Sequence, residues 1–524
     1  MSWTQWLLFT LIIQVIHGLG TWKLYVKAGH KAWEAFVPVY NGVILMKIVN
    51  RPWWYVVLLF VPIVNLIMFP VIWVETARSF GKNTYLDTFL SVISLGFYNY
   101  YLNYFTDVEY IKDRSLQPKS SSGDWVSSIL FAIVAATLVH TYFMQPYTIP
   151  TSSLEKTLLV GDFLFVSKFH YGPRAPMTAV AAPMVHDTIP VLNKKSYLYS
   201  DKKEEGSWLN KLQLPYFRLP GFQKIKRNDI VVFNWPVDTI DIMYTIPDRA
   251  YYKPIDKRTN YVKRCVGIPG DSLEVRNGYV YINGKQNVLP DRAKLQFSYD
   301  VQFKGQPTNT DIDALRNRYD ITDGIGMDQE KNTYFLAAVT DAAYNRAKNH
   351  PNIAKLERRS EAKGQWDAGI FPHDPSYKWN NDFFGPLYIP EEGKTIDLDL
   401  EVLPLYKTII TEYEGNDLKV NGNQILINDQ VVTDYTFKKD YYWMMGDNRH
   451  NSLDARAWGF VPFDHVVGKP VFVWMSWDGI KNPRWKRFFT TVGGSGEPRS
   501  YLVPFLVLLL GWFGFSKWRK RKNG

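Results

Sequence analysis

Two segments of the chain carry side chains that could perform nucleophilic chemistry without a cofactor. The first, residues 145–168, is rich in hydroxyl groups and contains Ser153. The second, residues 260–271, places Lys263 in a predicted strand with apolar flanks. If that lysine faces apolar surroundings, desolvation lowers its pKa, and the neutral amine can act as a general base at neutral pH. A serine hydroxyl next to such a base becomes a nucleophile.

Each segment also has a simpler explanation. Hydroxyl groups that follow an apolar stretch usually cap a helix or form a solvated turn. A lysine in a half-buried strand usually points outward, because successive side chains alternate between the two faces. A third segment, residues 445–462, is dense in charged and turn residues and by itself fits a hydrogen-bonded loop. Taken singly, these segments do not distinguish a catalytic role from a purely structural one.

Taken together, four blocks resemble the conserved boxes of the type I signal peptidases, or leader peptidases, in the same order. The most specific is the last, where Gly446-Asp-Asn-Arg precedes Asn-Ser-x-Asp-x-Arg and Trp-Gly-Phe-Val-Pro. The resemblance implies a membrane-bound serine endopeptidase that removes N-terminal signal peptides from exported preproteins by a Ser–Lys dyad, without metal or other cofactor. The blocks are residues 149–168, 228–236, 261–271 and 446–473.

The resemblance also implies roles for individual residues. Ser153 matches the nucleophile and Lys263 the general base. Ser452 matches a hydroxyl that orients the lysine amine, and Thr151 matches a hydroxyl that forms the oxyanion hole with the Ser153 backbone N–H. Residues that match the supporting set are Asp447, Asp454 and Arg456. Candidates for the walls of shallow, substrate-binding pockets are Tyr147, Ile149, Pro150, Val232 and Val262.

Two positions depart from the pattern of the family. The usual Ser-Met-x-Pro-Thr is Ser153-Leu-Glu-Lys-Thr here, so that Lys156 replaces a turn proline. His450 stands where an acidic residue is common. Neither change touches the proposed dyad, so activity is expected.

Beyond residue 150 the pattern favours β-structure. Short runs of β-branched and aromatic residues predict strands at 163–167, 230–233 and 261–262. Asn277-Gly278 predicts a hairpin within residues 273–284, and residues 418–428 predict a second one. A helix is expected near 331–347. The fold class is therefore mainly β, an antiparallel catalytic domain of the signal-peptidase type with an inserted α+β subdomain, anchored by about five transmembrane helices.

Five apolar stretches are candidates for those helices. The first lacks a basic amino-terminal flank and a small-residue cleavage site, which favours a retained anchor over a cleaved signal peptide. Ser153 follows the fourth stretch by only nine residues, which span about 30 Å at most, so the site is expected near the membrane. The stretches are residues 6–22, 53–74, 88–105, 125–144 and 501–515.

Lysines and arginines flank these stretches unevenly. Five lie between the first two stretches and five more within residues 517–522. Because such residues are enriched in cytoplasmic loops, the pattern predicts a multi-pass protein of the cell (inner) membrane with residues 145–499 on the outer, or periplasmic, face. The expected partners are signal peptides, the lipid bilayer and the secretion translocon. The net charge of +11 is not accompanied by a nucleic-acid motif, so nucleic-acid binding is not expected.

Two other functions remain open. The chain could be a catalytically silent relative that binds signal peptides, or a multispan transporter with an outer β domain.

The sequence also predicts domain boundaries. The predicted parts are an N-terminal multi-span membrane region (1–110), a cytoplasmic loop (111–124), a transmembrane anchor (125–144), the first part of the catalytic β core (145–285), an inserted subdomain (286–434), the second part of the core (435–499), a C-terminal transmembrane helix (500–516) and a basic cytoplasmic tail (517–524).

Overall fold

The computed structural model describes residues 1–118, 120–202, 207–241, 247–322, 324–328, 333–479 and 482–523. The helices are α1 (Trp3–Lys27), α2 (Tyr40–Ile48), α3 (Asn65–Ser79), α4 (Tyr85–Ile93), α5 (Tyr98–Tyr104), α6 (Ser121–Leu138), α7 (Trp208–Lys211), α8 (Asn309–Asp313), α9 (Asp341–Ala347), α10 (Leu403–Thr408), α11 (Ala455–Trp458) and α12 (Leu502–Asn523).

The strands are β1 (Met144–Thr148), β2 (Asp162–Ser167), β3 (Thr188–Ile189), β4 (Lys194–Lys195), β5 (Ile230–Asn234), β6 (Asn260–Gly267), β7 (Ser272–Arg276), β8 (Tyr279–Ile282), β9 (Lys285–Gln286), β10 (Gln296–Phe303), β11 (Ile325–Asp328), β12 (Thr333–Thr340), β13 (Ile353–Arg358), β14 (Phe383–Tyr388), β15 (Thr395–Asp397), β16 (Leu418–Asn421), β17 (Gln424–Ile427), β18 (Gln430–Val432), β19 (Asp434–Thr436), β20 (Tyr441–Met445), β21 (Val461–Pro462), β22 (Val466–Asp478), β23 (Asn482–Pro483) and β24 (Thr490–Thr491).

The chain folds into two compact units. One comprises residues 1–143, 173–219 and 238–258, and the other comprises 144–172, 220–237 and 259–524. The segments 173–219 and 238–258, which interrupt the β part of the sequence, thus belong to the same unit as the amino-terminal helices.

Three helices in the described part of the chain are long and apolar enough to cross a membrane, namely α1, α6 with its continuation to Phe143, and α12. The prediction of about five spans is corrected in two places. The stretch 53–74 breaks into a 3-10 helix (Trp53–Leu59), a turn that contains Pro62, and the 15-residue α3. At 1.5 Å per residue, α3 is shorter than the roughly 30 Å hydrocarbon core.

The stretch 88–105 breaks for a similar reason. It is divided between α4 of nine residues and α5 of seven. Gly96, with φ of +88°, lies in the turn between them. Its backbone conformation suits glycine and ends the helical path. Both helices pack against other helices of the first unit, where Leu24, Ile72 and Leu102 belong to one hydrophobic core.

A nine-stranded antiparallel sheet organises the second unit. Its order is β1-β2-β22-β5-β6-β20-β21, and β23 and β24 also pair with β22. β5 and β6 pair without a register shift over five residue pairs, which include Val231 with Lys263 and Ile230 with Arg264. β20 pairs with the other edge of β6. The long strand β22 therefore joins the β1–β2 hairpin to the strands that carry the lysine.

Two predicted hairpins are confirmed. β7 and β8 meet at Asn277 and Gly278, whose φ angles of 48° and 76° are those of a primed turn. β16 and β17 form the second hairpin. The helix expected near 331–347 is wrong over 333–340, which form β12, while residues 331–332 lie outside the described residues. Aromatic and β-branched residues there favour a strand, and Thr340 then caps α9.

Residues 286–434 contribute to two different cores. β10 to β13 form a four-stranded sheet with its own hydrophobic core around Phe297, Val301 and Leu336. β14 instead pairs with β7. The core around Ile389 and Leu398 also contains residues of β6, β7 and β20. Only the first part of this region therefore has a core of its own.

Candidate active site

Ser153 and Lys263 lie side by side in the second unit. Lys263 Nζ is 2.6 Å from Ser153 Oγ, and the two residues are only 3% and 6% exposed. The serine sits in the loop between β1 and β2, which is closed at its base by two backbone hydrogen bonds between Ile149 and the start of β2. The lysine projects from β6. The sheet therefore brings together two residues that are 110 positions apart.

Burial governs the protonation of Lys263. Desolvation lowers its pKa from an ordinary 10.5 to about 8, while Asp454 and Asp447 raise the pKa and Arg456 lowers it. A pKa near 8 leaves about a tenth of the amine neutral at pH 7, compared with well under a thousandth for an ordinary lysine. The pair thus places a hydroxyl group next to an amine that can accept its proton.

A buried ion pair fixes the loop that follows β20. Arg264 donates to both carboxylate oxygens of Asp447, at 2.7 and 2.6 Å. Burial alone would raise the pKa of Asp447, but Arg264 and the Thr157 hydroxyl hold that pKa below its usual value. The next residue, Asn448, donates its backbone N–H to the carbonyl of Ser153. The ion pair therefore helps to position the serine loop.

A second buried ion pair lies a few residues later. Asp454 accepts hydrogen bonds from Arg456 at 2.9 and 2.8 Å and from the backbone N–H of Gly446 at 3.0 Å. Burial opposes the charge of Asp454, yet Arg456 keeps the pKa of this carboxyl lowered. Arg456 also donates to the carbonyl of Arg449. The three predicted supporting residues are thus found in two ion pairs around the loop.

Ser452 lies beside the dyad without a hydrogen bond to it. Its hydroxyl is buried and has no hydrogen-bond partner among the described residues. A Cβ added to Gly446 would lie 2.2 Å from Ser452 Oγ and 2.6 Å from the Ser153 carbonyl oxygen, so only glycine fits there. Thr151 is exposed two residues before Ser153. The roles of Ser452 and Thr151 stay predictions.

Four of the five predicted pocket residues belong to one apolar cluster. Ile149 and Val232 are buried in it, and Tyr147 and Val262 are partly buried against it. Pro150 is exposed and is not part of the cluster. Leu154, which follows the serine, is 1% exposed within the same cluster. An apolar surface thus adjoins the nucleophile.

Several residues around the site were not foreseen from the sequence. Gln296, the first residue of β10, exchanges backbone hydrogen bonds with Asp447 and Arg449. His450 lies between the Ser298 backbone N–H and the Asp382 carboxylate. No motif marks Gln296 or Asp382, because their contacts depend on how β10 and β14 pack.

Lys156 stands where the family usually has proline. Its Nζ binds Asp320 at 2.8 Å and Thr322 at 2.9 Å. Its φ is +66°, a value that a proline ring cannot adopt. The loop therefore follows a different backbone path, and the lysine ties it to the segment before β11.

In the described part of the chain, no three histidine, cysteine or carboxylate side chains are grouped so that they could hold a metal ion. Cys265, the single cysteine, is buried next to Arg264 in β6. The chemistry that the geometry supports is that of the serine–lysine pair, whose Nζ and Oγ atoms lie 2.6 Å apart.

Comparison with known proteins confirms the resemblance. A family model described as "Signal peptidase, peptidase S26" matches residues 122–336 and 392–477, and a family of unknown function (DUF5684) matches residues 33–113. Proteins named signal peptidase I are similar over most of the chain. That of Buchnera aphidicola subsp. Schizaphis graminum is 24% identical over 68% of this chain and 76% of its own. Those of Haemophilus influenzae and Helicobacter pylori are 23% and 25% identical, over 72% and 71% of this chain and 78% and 91% of theirs.

Proposed function

Because this chain belongs to the signal peptidase family, peptidase S26, and is a serine endopeptidase, we propose that it removes N-terminal signal peptides from exported preproteins with Ser153 as nucleophile and Lys263 as general base. The observation that carries the assignment is the 2.6 Å approach of Lys263 Nζ to Ser153 Oγ in a buried environment. The lowered pKa of the lysine supports the same roles.

In the proposed reaction, the neutral amine of Lys263 takes the proton of Ser153 Oγ while the oxygen attacks the scissile carbonyl carbon. The oxyanion accepts hydrogen bonds from the Ser153 backbone N–H and the Thr151 hydroxyl. Collapse of the intermediate passes the lysine proton to the leaving amine and leaves an ester on Ser153. A water molecule, deprotonated by the same amine, then hydrolyses the ester.

We assign Ser452 the task of orienting the amine. Among the described residues its buried hydroxyl has no hydrogen-bond partner, so it is available to accept from or donate to the amine. Asp447, Asp454 and Arg456 act as supporting residues that hold the loop, because each is already engaged in an ion pair.

The substrate pocket is assigned to the apolar cluster beside Ser153. Tyr147, Ile149, Val232 and Val262 supply its walls, and packed walls of this kind exclude large side chains. Small residues, typically alanine, are therefore expected at P1 and P3 of the signal peptide. Pro150 remains a candidate at the rim, since it is exposed.

We further propose that α1, α6 and α12 cross the cell membrane and that the catalytic domain lies on its outer, or periplasmic, face. The basic tail after α12 and the basic residues of 111–120 before α6 fit the cytoplasmic side under the positive-inside rule. Ile63 shares a buried hydrophobic cluster with Ala181 and Tyr197, which follow α6 in the chain, so this part of the region 28–120 lies with the segment beyond α6. The Met1 ammonium and the Trp6 indole donate to the carbonyls of Lys211 and Gln213, which follow α6 in the chain. These contacts support a topology in which the start of α1 lies on the same side as the segment beyond α6. The bilayer and the secretion translocon are the expected partners.

The experiment is cleavage of a purified preprotein by the full-length protein in detergent. Ser153→Ala and Lys263→Met should abolish cleavage, while the neighbouring Ser152→Ala serves as the matched control and should retain it. Full activity of both dyad variants would overturn the mechanism. If wild type binds the preprotein but does not cut it, the alternative of a silent signal-peptide-binding relative holds instead.

A further inference from the structure

Three arginines in the first unit converge on a single carboxylate. Glu75 of α3 lies within ion-pair distance of Arg51 (3.6 Å), Arg78 (3.8 Å) and Arg114. Glu75 is buried, with 8% of its side chain exposed, whereas the three arginine side chains are 26%, 31% and 11% exposed. Among the described residues, no other carboxylate lies within ion-pair distance of these guanidinium groups.

The cluster therefore has two more positive charges than negative ones. Arg114 is well satisfied, since it also donates to the Ser79 hydroxyl and the Val49 carbonyl. Arg51 and Arg78 face Glu75 only at long range, and Arg78 Nε is buried without a hydrogen-bond partner. A buried donor without a partner is costly. Guanidinium groups match the geometry of phosphate oxygens well.

Nearby acidic groups do not supply the missing charge. Asp87 accepts hydrogen bonds from Thr84 and Tyr98. Asp107 is paired with Lys27. An anion from outside the chain would balance Arg51 and Arg78, whose side chains are partly exposed.

The surroundings of the cluster are apolar and exposed. Trp53 and Trp54 follow Arg51 directly and are 64% and 49% exposed. α4, whose Thr88 hydroxyl accepts a hydrogen bond from Arg78 at 3.5 Å, exposes Leu86, Phe89 and Ile93 along one stripe. Exposed tryptophans near a basic cluster are typical of the membrane interface, where acyl chains would cover such a stripe.

We propose that Arg51 and Arg78 bind the phosphate of an anionic phospholipid headgroup, with its acyl chains lying along the exposed stripe of α4. The excess positive charge of the arginines favours a negatively charged ligand. The adjoining apolar surface can bind acyl chains, which a lipid has and free phosphate lacks. The site is independent of the serine–lysine pair.

The test is thermal unfolding of the full-length protein in a neutral detergent, with added phosphatidylglycerol, phosphatidylcholine or inorganic phosphate. Phosphatidylglycerol should raise the unfolding midpoint by several degrees more than phosphatidylcholine does, and phosphate alone should give a smaller rise. Arg51→Gln/Arg78→Gln should remove the difference between the two lipids. Arg51→Gln alone, which removes the ion pair of Arg51 with Glu75, should reduce it. The control Lys31→Gln/Lys47→Gln removes the same charge from exposed positions and should preserve it.

Three results would overturn the proposal. Wild type that responds equally to both lipids has no headgroup site. If inorganic phosphate raises the unfolding midpoint as much as phosphatidylglycerol does, the cluster binds free anions and not a lipid headgroup. If the Lys31→Gln/Lys47→Gln control loses the difference between the two lipids to the same extent, the difference depends on net charge and not on this cluster.

Discussion

Lys263→Met should make the protein more stable while it abolishes cleavage. The lysine is 3% exposed, and burial disfavours its charged form. At neutral pH the folded protein must therefore either bury an ammonium group or release its proton. Methionine fills a similar volume without this cost.

The magnitude follows from the pKa of Lys263. A lowering from 10.5 to about 8 corresponds to roughly 3 kcal/mol of destabilisation below pH 8. Loss of the hydrogen bond to Ser153 offsets about 1 kcal/mol of the gain. The net gain of about 2 kcal/mol should raise the unfolding midpoint by roughly 3 °C, because the shift per kcal/mol falls as the size of the unfolding unit grows.

The sign of the pH dependence provides an internal control. Between pH 8 and 10.5 the unfolded lysine binds a proton that the folded one has lost, so wild-type stability rises with pH across this window. The advantage of the variant should therefore be greatest below pH 8, fall to zero near about pH 10 and reverse to a deficit of about 1 kcal/mol above pH 10.5, where only the lost hydrogen bond counts. Lys285→Met, at an exposed lysine, should change little at any pH. A Lys263→Met protein that is less stable than wild type at pH 7, or whose difference does not vary with pH, would refute the reasoning.

Three further outcomes can be measured on the same protein. The cleavage rate should rise about tenfold from pH 7 to a plateau above pH 9, as the amine with a pKa of about 8 loses its proton, whereas Lys263→Arg should be inactive throughout. Lys156→Pro, which restores the residue usual in the family, should reduce activity and lower the unfolding midpoint, because the backbone φ at position 156 is +66°. Lys156→Gly should be tolerated better. An active and stable proline variant would contradict the backbone conformation of this loop. Asp447→Asn should cost about 3–5 kcal/mol of stability by leaving Arg264 unpaired, whereas the exposed Asp434→Asn should not; equal unfolding midpoints would argue against the buried ion pair.

Local chemistry made part of this fold predictable. The Asn277-Gly278 turn is specified by its own residues, which tolerate positive φ, so the hairpin could be predicted without knowledge of its neighbours. The proximity of Ser153 and Lys263 was expected from family resemblance, because no local rule joins residues on β6 and in a distant loop. Burial and the lowered lysine pKa emerge only in the folded sheet.

Other features depend on tertiary context. Residues 53–74 are apolar enough to span a membrane, yet they turn near Pro62 and form the short α3 because the chain packs back onto α1. The strand β12 was mistaken for part of a helix because its residues also suit one. The contact of Gln296 with the loop after β20 has no signature in the sequence, since backbone hydrogen bonds can be made by any residue.

The pairing of β5 with β6 sets which cation meets the serine. Lysine and arginine are consecutive in β6, and neighbouring side chains of a strand point to opposite faces. A shift of one position would present Arg264 to Ser153 in place of the amine, and a guanidinium cannot give up its proton near neutral pH. The loss of one residue within β6 ahead of Lys263 would thus exchange a reversible proton carrier for a permanent charge, whereas the long connection between β5 and β6 can absorb such a change.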